Sequence, residues 1–259
     1  SQYPYSCLEQ KISKAVALRD KGLWQERMRE LPAYLDGEGL LKYFPLLRTG
    51  SDALTAYVMA VSHEAGLEIP AALREQMSAG LSGFVEGHIR RGSDLATADL
   101  AIRKVAAVEA LSRYGKAKAA LLASVAVEPH LWPTSAVIDW IGVLKRTADI
   151  PDRARKLDAA QQVLRSRLNL QGTAMGFSTE RADGLWWLMV TPDVNAVRTL
   201  LAATDLEAWK EDAPRIARGA LGRMKRGRWD TTTANAWGTL AFEKFSAAFE
   251  KEDVSGRTT

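Results

Sequence analysis

Cys7 is the sole cysteine of the chain, and Gln10 follows it three residues later at the entrance to an amphipathic run. A thiol and a carboxamide at i and i+3 share one face of a helical turn, close enough for the sulfur to reach the side-chain carbonyl. Attack there, with ammonia carrying away the thiol proton, leaves an internal thioester. Such a bond is a stored electrophile that can be spent once, because a thiolate leaves readily. Other readings of the same residues stay open. A lone cysteine often acts as a small buried hydrophobe, and a C-x-x-Q spacing also arises by chance. Cys7 could instead be the nucleophile of a hydrolase or acyltransferase, with His63, His88 or His130 as its base. It could also be inert in a scaffold that only binds. Removing Gln10 separates the first two readings, and removing Cys7 separates both from the third.

Such chemistry needs a rigid support, and the periodicity supplies helices. Ile12, Ala15, Val16 and Arg19 mark a helix over about 7–19, and Leu54, Tyr57, Val58 and Val61 form an i, i+3, i+4, i+7 stripe. Val137, Trp140, Ile141 and Leu144 repeat that stripe after Pro133, and Leu157, Ala160, Leu164 and Leu168 form the next one. Further helices are expected over 70–89, 95–114, 116–127, 193–204, 206–225 and 231–250. Gly66, Gly92, Gly115, Pro129, Pro151, Pro192 and Gly227 punctuate them. The Gly-punctuated stretch 170–179 reads as a small β-hairpin or an irregular loop. Periodicity alone therefore gives an all-α chain of consecutive helix pairs, as a solenoid or a closed ring.

Composition narrows the function. At 259 residues with 47% hydrophobic content, the chain can bury one large core over 1–251. The polar tail 252–259 reads as a linker stub. No apolar run reaches membrane-spanning length, so direct membrane insertion is not expected; the start at Ser1 reads as that of an excised domain. The net charge of +4 and the clusters Arg90-Arg91 and 223–228 invite nucleic acid. No aromatic-basic motif accompanies them, so they are read as solvated faces and no nucleic-acid partner is expected. The three scattered histidines and one cysteine lack metal-ligand spacing, so neither a metal nor another cofactor is expected. The eight tryptophans are read as core, not as a sugar platform.

The run Tyr3-Pro4-Tyr5-Ser6-Cys7-Leu8-Glu9-Gln10 resembles the thioester signature of the bacterial α2-macroglobulin family, relatives of the complement thioester components. Leu54-Thr55-Ala56-Tyr57-Val58 resembles the family's LTAYV helix, and Arg228-Trp229-Asp230-Thr231-Thr232-Thr233-Ala234-Asn235-Ala236-Trp237 resembles its late W-x-S-T-x-x-N-A-W helix start. The three matches keep the family's order. Ser6 stands where the family usually has glycine, and the interval between Cys7 and Leu54 lacks the expected Gly-Gly-Phe signal. The resemblance implies an α/α toroid of six inner and six outer helices. It implies a thioester domain of a broad-spectrum protease inhibitor, with Cys7 and Gln10 as the bond. The expected partners are target proteases, captured through lysine or another nucleophile after cleavage of a bait segment, and flanking domains of the same chain. The expected setting is the Gram-negative periplasm. The domain is then not an enzyme, since capture happens once. Tyr3 and Tyr5 either cover the bond or anchor the entering segment. Glu9 either orients the site or meets the helix dipole. No histidine matches the family's acyl-accepting position, which favours direct attack by amines.

Overall fold

The computed structural model of the chain describes residues 6–95, 97–178 and 184–249. Among them lie ten α-helices: α1 Leu8–Ala17, α2 Lys21–Glu30, α3 Asp52–Ala65, α4 Ala71–Glu86, α5 Leu100–Arg113, α6 Thr134–Arg146, α7 Arg153–Ser166, α8 Pro192–Thr204, α9 Ala213–Gly222 and α10 Thr232–Phe249. An antiparallel hairpin, β1 Leu168–Gln171 and β2 Ala174–Phe177, pairs Leu168 with Phe177 and Gln171 with Ala174. Tyr3, Tyr5 and the tail 252–259 lie outside the described residues.

Six helices close on themselves. In order α1, α3, α5, α6, α8 and α10, each packs on the next, and α10 returns to α1. The second layer is built from α2 on α1, α4 across α3 and α5, α7 on α6 and α9 on α8, with β2 lying against α9 and β1 against α7. Burial separates the layers. In α3 every residue from Leu54 to Ser62 is buried, as is every residue of α6 from Thr134 to Leu144. By contrast α2 buries only Trp24 and Met28, and α7 only Ala160 and Leu164, one i, i+4 stripe each. Helices apolar all round belong inside, and singly striped ones outside.

Three expectations are corrected. Helix α2 has no counterpart in the periodicity, because its join to α1 carries neither glycine nor proline. Arg19 takes the left-handed conformation (φ 53°) instead, and the amides of Asp20 and Arg19 return to the carbonyls of Ala15 and Val16. Asp20 then caps α2, accepting the Leu23 amide at 2.9 Å. The stretch 116–127 forms only a 3-10 turn at Ala119–Ser124, none of whose residues is buried. With no face to bury, an α-helix there gains little, and the Asp149 carboxylate accepts the Ala119 amide. The stretch 206–225 splits into a 3-10 turn at Glu207–Trp209 and α9, where Pro214 occupies the first turn.

Through the middle of the ring runs a chain of charges. Arg113 of α5 pairs with Glu109 at 2.7 Å and with Glu64 of α3 at 2.6 Å, and Arg146 of α6 reaches Glu109 at 3.0 Å. Lys244 of α10 joins Glu64 to Asp205, Lys145 also pairs with Asp205, and Arg198 of α8 pairs with Asp139 of α6 at 2.6 Å. Five ring helices are thus tied across their shared axis.

The start of α10 is set by close packing. A Cβ on Gly238 would stand 2.3 Å from the Trp229 ring, which is itself stacked on Phe242. Gly238→Ala is therefore expected to destabilise the protein by about 1–3 kcal/mol through overpacking. Denaturant unfolding checks this; a change below a few tenths of a kcal/mol would mean that Trp229 moves aside freely.

Candidate functional site

Three segments converge on the first turn of α1. Cys7 occupies its N-cap in extended conformation (φ −72°, ψ 169°). The carboxamide of Gln10 folds back over it, so that Gln10 Oε1 accepts the Cys7 amide at 3.3 Å, while the Cys7 sulfur accepts from the Gln10 amide. This is a capping box with sulfur in the place of the usual hydroxyl. The sequence-predicted pair is thus brought together, with the carbonyl of Gln10 turned towards the residue whose sulfur would attack it.

The second segment is the loop between α2 and α3. Its backbone is organised by the Asp36 carboxylate, which accepts the amides of Glu38, Leu40 and Gly50 and pairs with Arg91. Gly50 is required there, since a Cβ would lie 2.2 Å from the Leu40 carbonyl oxygen. Leu41 is tied to α3 through the Thr55 hydroxyl at 2.8 Å. The loop so held presents the Tyr43 carbonyl to the Leu8 amide at 2.9 Å, satisfying a first-turn donor of α1. The Tyr43 phenol is pushed up to about 12, chiefly by burial and then by the nearby Glu9 and Cys7 charges.

The third segment is the start of α10. Asn235 brackets it, accepting the Trp229 amide and donating to the carbonyls of Trp229 and Thr231. Thr231 accepts the Ala234 amide. Next to it, the Thr232 hydroxyl donates to Glu9 Oε1 at 2.8 Å, and the Ser13 hydroxyl donates to the same oxygen at 2.6 Å. Ser13 continues to the Tyr57 hydroxyl at 2.6 Å, and the Tyr57 ring meets Trp237 edge-on. Glu9 therefore clamps the first turn of α1 to α10 and, through Ser13, to α3. Sequence reasoning left Glu9 without a role and missed Ser13, Tyr43 and Thr232. Tyr57 and Thr232 did lie inside the quoted segments, whereas nothing in the spacing marks Tyr43.

Electrostatics favour a thiol held in reserve. Burial pushes the Cys7 thiol up and the Glu9 charge adds to this, while the amides of Gln10 and Glu9 act in the opposite direction. A cysteine hydrolase needs the reverse, a thiolate made by a neighbouring base. The histidines lie on other segments. His63 packs edge-on against Tyr114 in the last turn of α3, His88 pairs with Glu86 beyond α4, and His130 is exposed ahead of α6. Among the described residues no group of histidine, cysteine and carboxylate side chains could hold a metal ion, and no helix is long and apolar enough to cross a membrane.

No protein-family model matches the chain, and neither does any curated protein. Solved structures do. Native α2-macroglobulin from Escherichia coli superposes with a TM-score of 0.67 at 17% identity over 95% of this chain. The chain has the fold of a segment of the bacterial α2-macroglobulins. The trypsin-activated E. coli α2-macroglobulin matches over 92% of the chain (TM-score 0.61, 18% identity), and Salmonella α2-macroglobulin reacted with methylamine over 94% (0.62, 18%). The chain spans 16 to 17% of the length of these α2-macroglobulins. At such identities the likeness establishes the fold, and the assignment of the site rests on the residues around Cys7.

Proposed function

We propose that this chain is the thioester domain of a bacterial α2-macroglobulin-like protease inhibitor, acting in the Gram-negative periplasm, with Cys7 and Gln10 forming the bond. One observation carries the reading: the Gln10 carboxamide is folded back onto Cys7 at a helix start clamped from both sides. Supporting it, the structures that share this fold include an α2-macroglobulin activated by trypsin and another reacted with methylamine.

Attack of Cys7 Sγ on Gln10 Cδ forms the C–S bond and expels the amide nitrogen, which leaves as ammonia with the thiol proton. In the full-length protein, cleavage of a bait segment exposes the thioester to a lysine amine of the cleaving protease. The amine nitrogen bonds to Gln10 Cδ, the C–S electron pair returns to sulfur, and the amine proton is taken up by the thiolate or by water. The amides of Glu9 and Gln10 face the charge that develops on sulfur. The product is a protease joined to Gln10 by an amide, formed once per molecule and without turnover. The flanking domains of the same polypeptide shield the bond until then.

The test is incubation of the full-length protein with trypsin, followed by a denaturing gel. A covalent adduct that survives heat and detergent, and is lost after pretreatment with methylamine, is the expected result. A protein cleaved by trypsin without any adduct contradicts the proposal.

Glu9 provides a second check. Glu9→Ala removes the clamp to Thr232 and Ser13 and is expected to slow ring closure by roughly tenfold to a hundredfold through misplacement of the first turn. Glu9→Gln keeps an acceptor oxygen and retains most of the closure. The reading is the fraction of purified full-length protein that is lighter by one ammonia; an undiminished fraction in Glu9→Ala means that the clamp is dispensable.

A further inference from the structure

Beside the site lies an open cleft that the reaction as described does not use. Its walls carry Lys225, Arg226 and Arg228, and its floor is the start of α10, including Thr232, whose hydroxyl binds Glu9. The three cations sit on a tight turn closed by the Lys225 amide on the Arg228 carbonyl at 2.8 Å. Its two central residues, Arg226 and Gly227, both have positive φ (55° and 76°). An arginine in that conformation is strained where asparagine or glycine would not be. None of the three side chains holds an ion pair or a hydrogen bond among the described residues, and all three are exposed. The other charges of the cleft among the described residues are Arg223 and Asp193, paired at 2.6 Å, and Asp230, which accepts the Thr191 hydroxyl. Among the described residues the cleft therefore carries four cations and two carboxylates, with the three cations of the turn beside the start of α10, whose Thr232 binds Glu9.

We infer that this turn is a charge-selective subsite of the capture reaction, favouring lysines flanked by acidic side chains on the partner surface. The inference rests on the thioester reading and adds the class of nucleophile. An acidic flank is drawn to unpaired guanidinium and ammonium groups, which raises the local concentration of the attached amine next to Gln10, and salt weakens the attraction. A lysine flanked by arginines meets the opposite field.

The experiment uses the native full-length protein and follows thiol release from Cys7. Two short blocked peptides are compared, one with lysine between two aspartates and one with lysine between two arginines, with methylamine as an uncharged-flank control. At low ionic strength the acidic peptide is expected to react about tenfold faster than the basic one, and the gap should collapse near 0.5 M salt. The triple variant Lys225→Gln, Arg226→Asn, Arg228→Gln keeps a favourable turn, because Asn-Gly suits its positive φ values. It is expected to remove the preference while leaving the methylamine rate within about twofold of the parent, since neutral methylamine carries no flank for the turn to attract. Equal rates for the two peptides at low salt, or a preference that survives in the variant, would overturn the inference. Absence of reaction with methylamine as well would overturn it together with the thioester itself.

Discussion

Replacing Cys7 by alanine is expected to abolish covalent capture while leaving the fold intact. The full-length variant should still be cleaved by trypsin, yet give no adduct on a denaturing gel. Stability should change by less than about 1 kcal/mol, because Cys7 is a half-exposed N-cap and its sulfur is a weak substitute for a capping hydroxyl. Gln10→Ala is expected to give the same loss, since the thioester needs both atoms. That pairing gives the experiment its discrimination. A cysteine hydrolase would lose activity with Cys7 and tolerate loss of Gln10, whereas an inert cysteine in a binding scaffold would leave both variants functional. Capture that persists in either variant would remove the thioester from the account.

The largest effect on stability is expected at the ring axis. Glu109 is 3% exposed and receives Arg113 and Arg146, while Arg113 also holds Glu64. Removing the carboxylate leaves the buried Arg113 with Glu64 alone, opposite the partly exposed Arg146, and breaking a buried pair in this way costs about 3–5 kcal/mol. For a domain of this size that corresponds to a fall of about 10 °C in melting temperature. The acid limb of the stability curve should change with it. Burial opposes the charge of Glu109, but Arg113 and Arg146 outweigh it and hold the carboxyl below its ordinary range. Glu64 is held low in the same way, with Arg113 and Lys244 outweighing burial. A depressed folded-state value gives stability that is complete above the unfolded-chain value of about 4.5 and is lost as pH falls through the folded value. Asp139 runs the other way, because burial and the neighbouring Glu109 raise its carboxyl despite Arg198. It takes a proton more readily in the folded protein and offsets part of the loss. Glu109→Ala should therefore lower the melting temperature at pH 7 and flatten the decline below pH 4.5. A melting temperature within 2 °C of the parent, with an unchanged acid limb, would show that the axial charges contribute little.

Much of this architecture is legible in the residues, for a physical reason. Ring helices such as α3 and α6 carry long apolar runs, and Pro133 and Ser51 announce their starts. The hairpin overlaps the Gly-punctuated stretch, and α10 begins within the T-T-T run after Gly227. What escaped was set by groups distant in sequence or by unusual residues in ordinary roles. The join of α1 to α2 uses Arg19 where glycine is the usual signal. The turn at Ala119–Ser124 takes its hydrogen bond from Asp149, thirty residues later. Pro214 interrupts the expected helix 206–225 and opens α9 in its first turn. At the site, Cys7 and Gln10 were marked by type and spacing. The contacts of Glu9 are the long-range part: its partner Thr232 lies 223 residues away, and only closure of the ring brings the two together.

The most direct measurement is the intact mass of freshly purified full-length protein before and after methylamine, with a parallel titration of free thiol. The account predicts a species one ammonia lighter than the translated chain, which gains one methylamine and releases one thiol. A protein of unmodified mass whose Cys7 is already titratable would contradict it, and Cys7 and Gln10 would then be no more than an unusual helix cap.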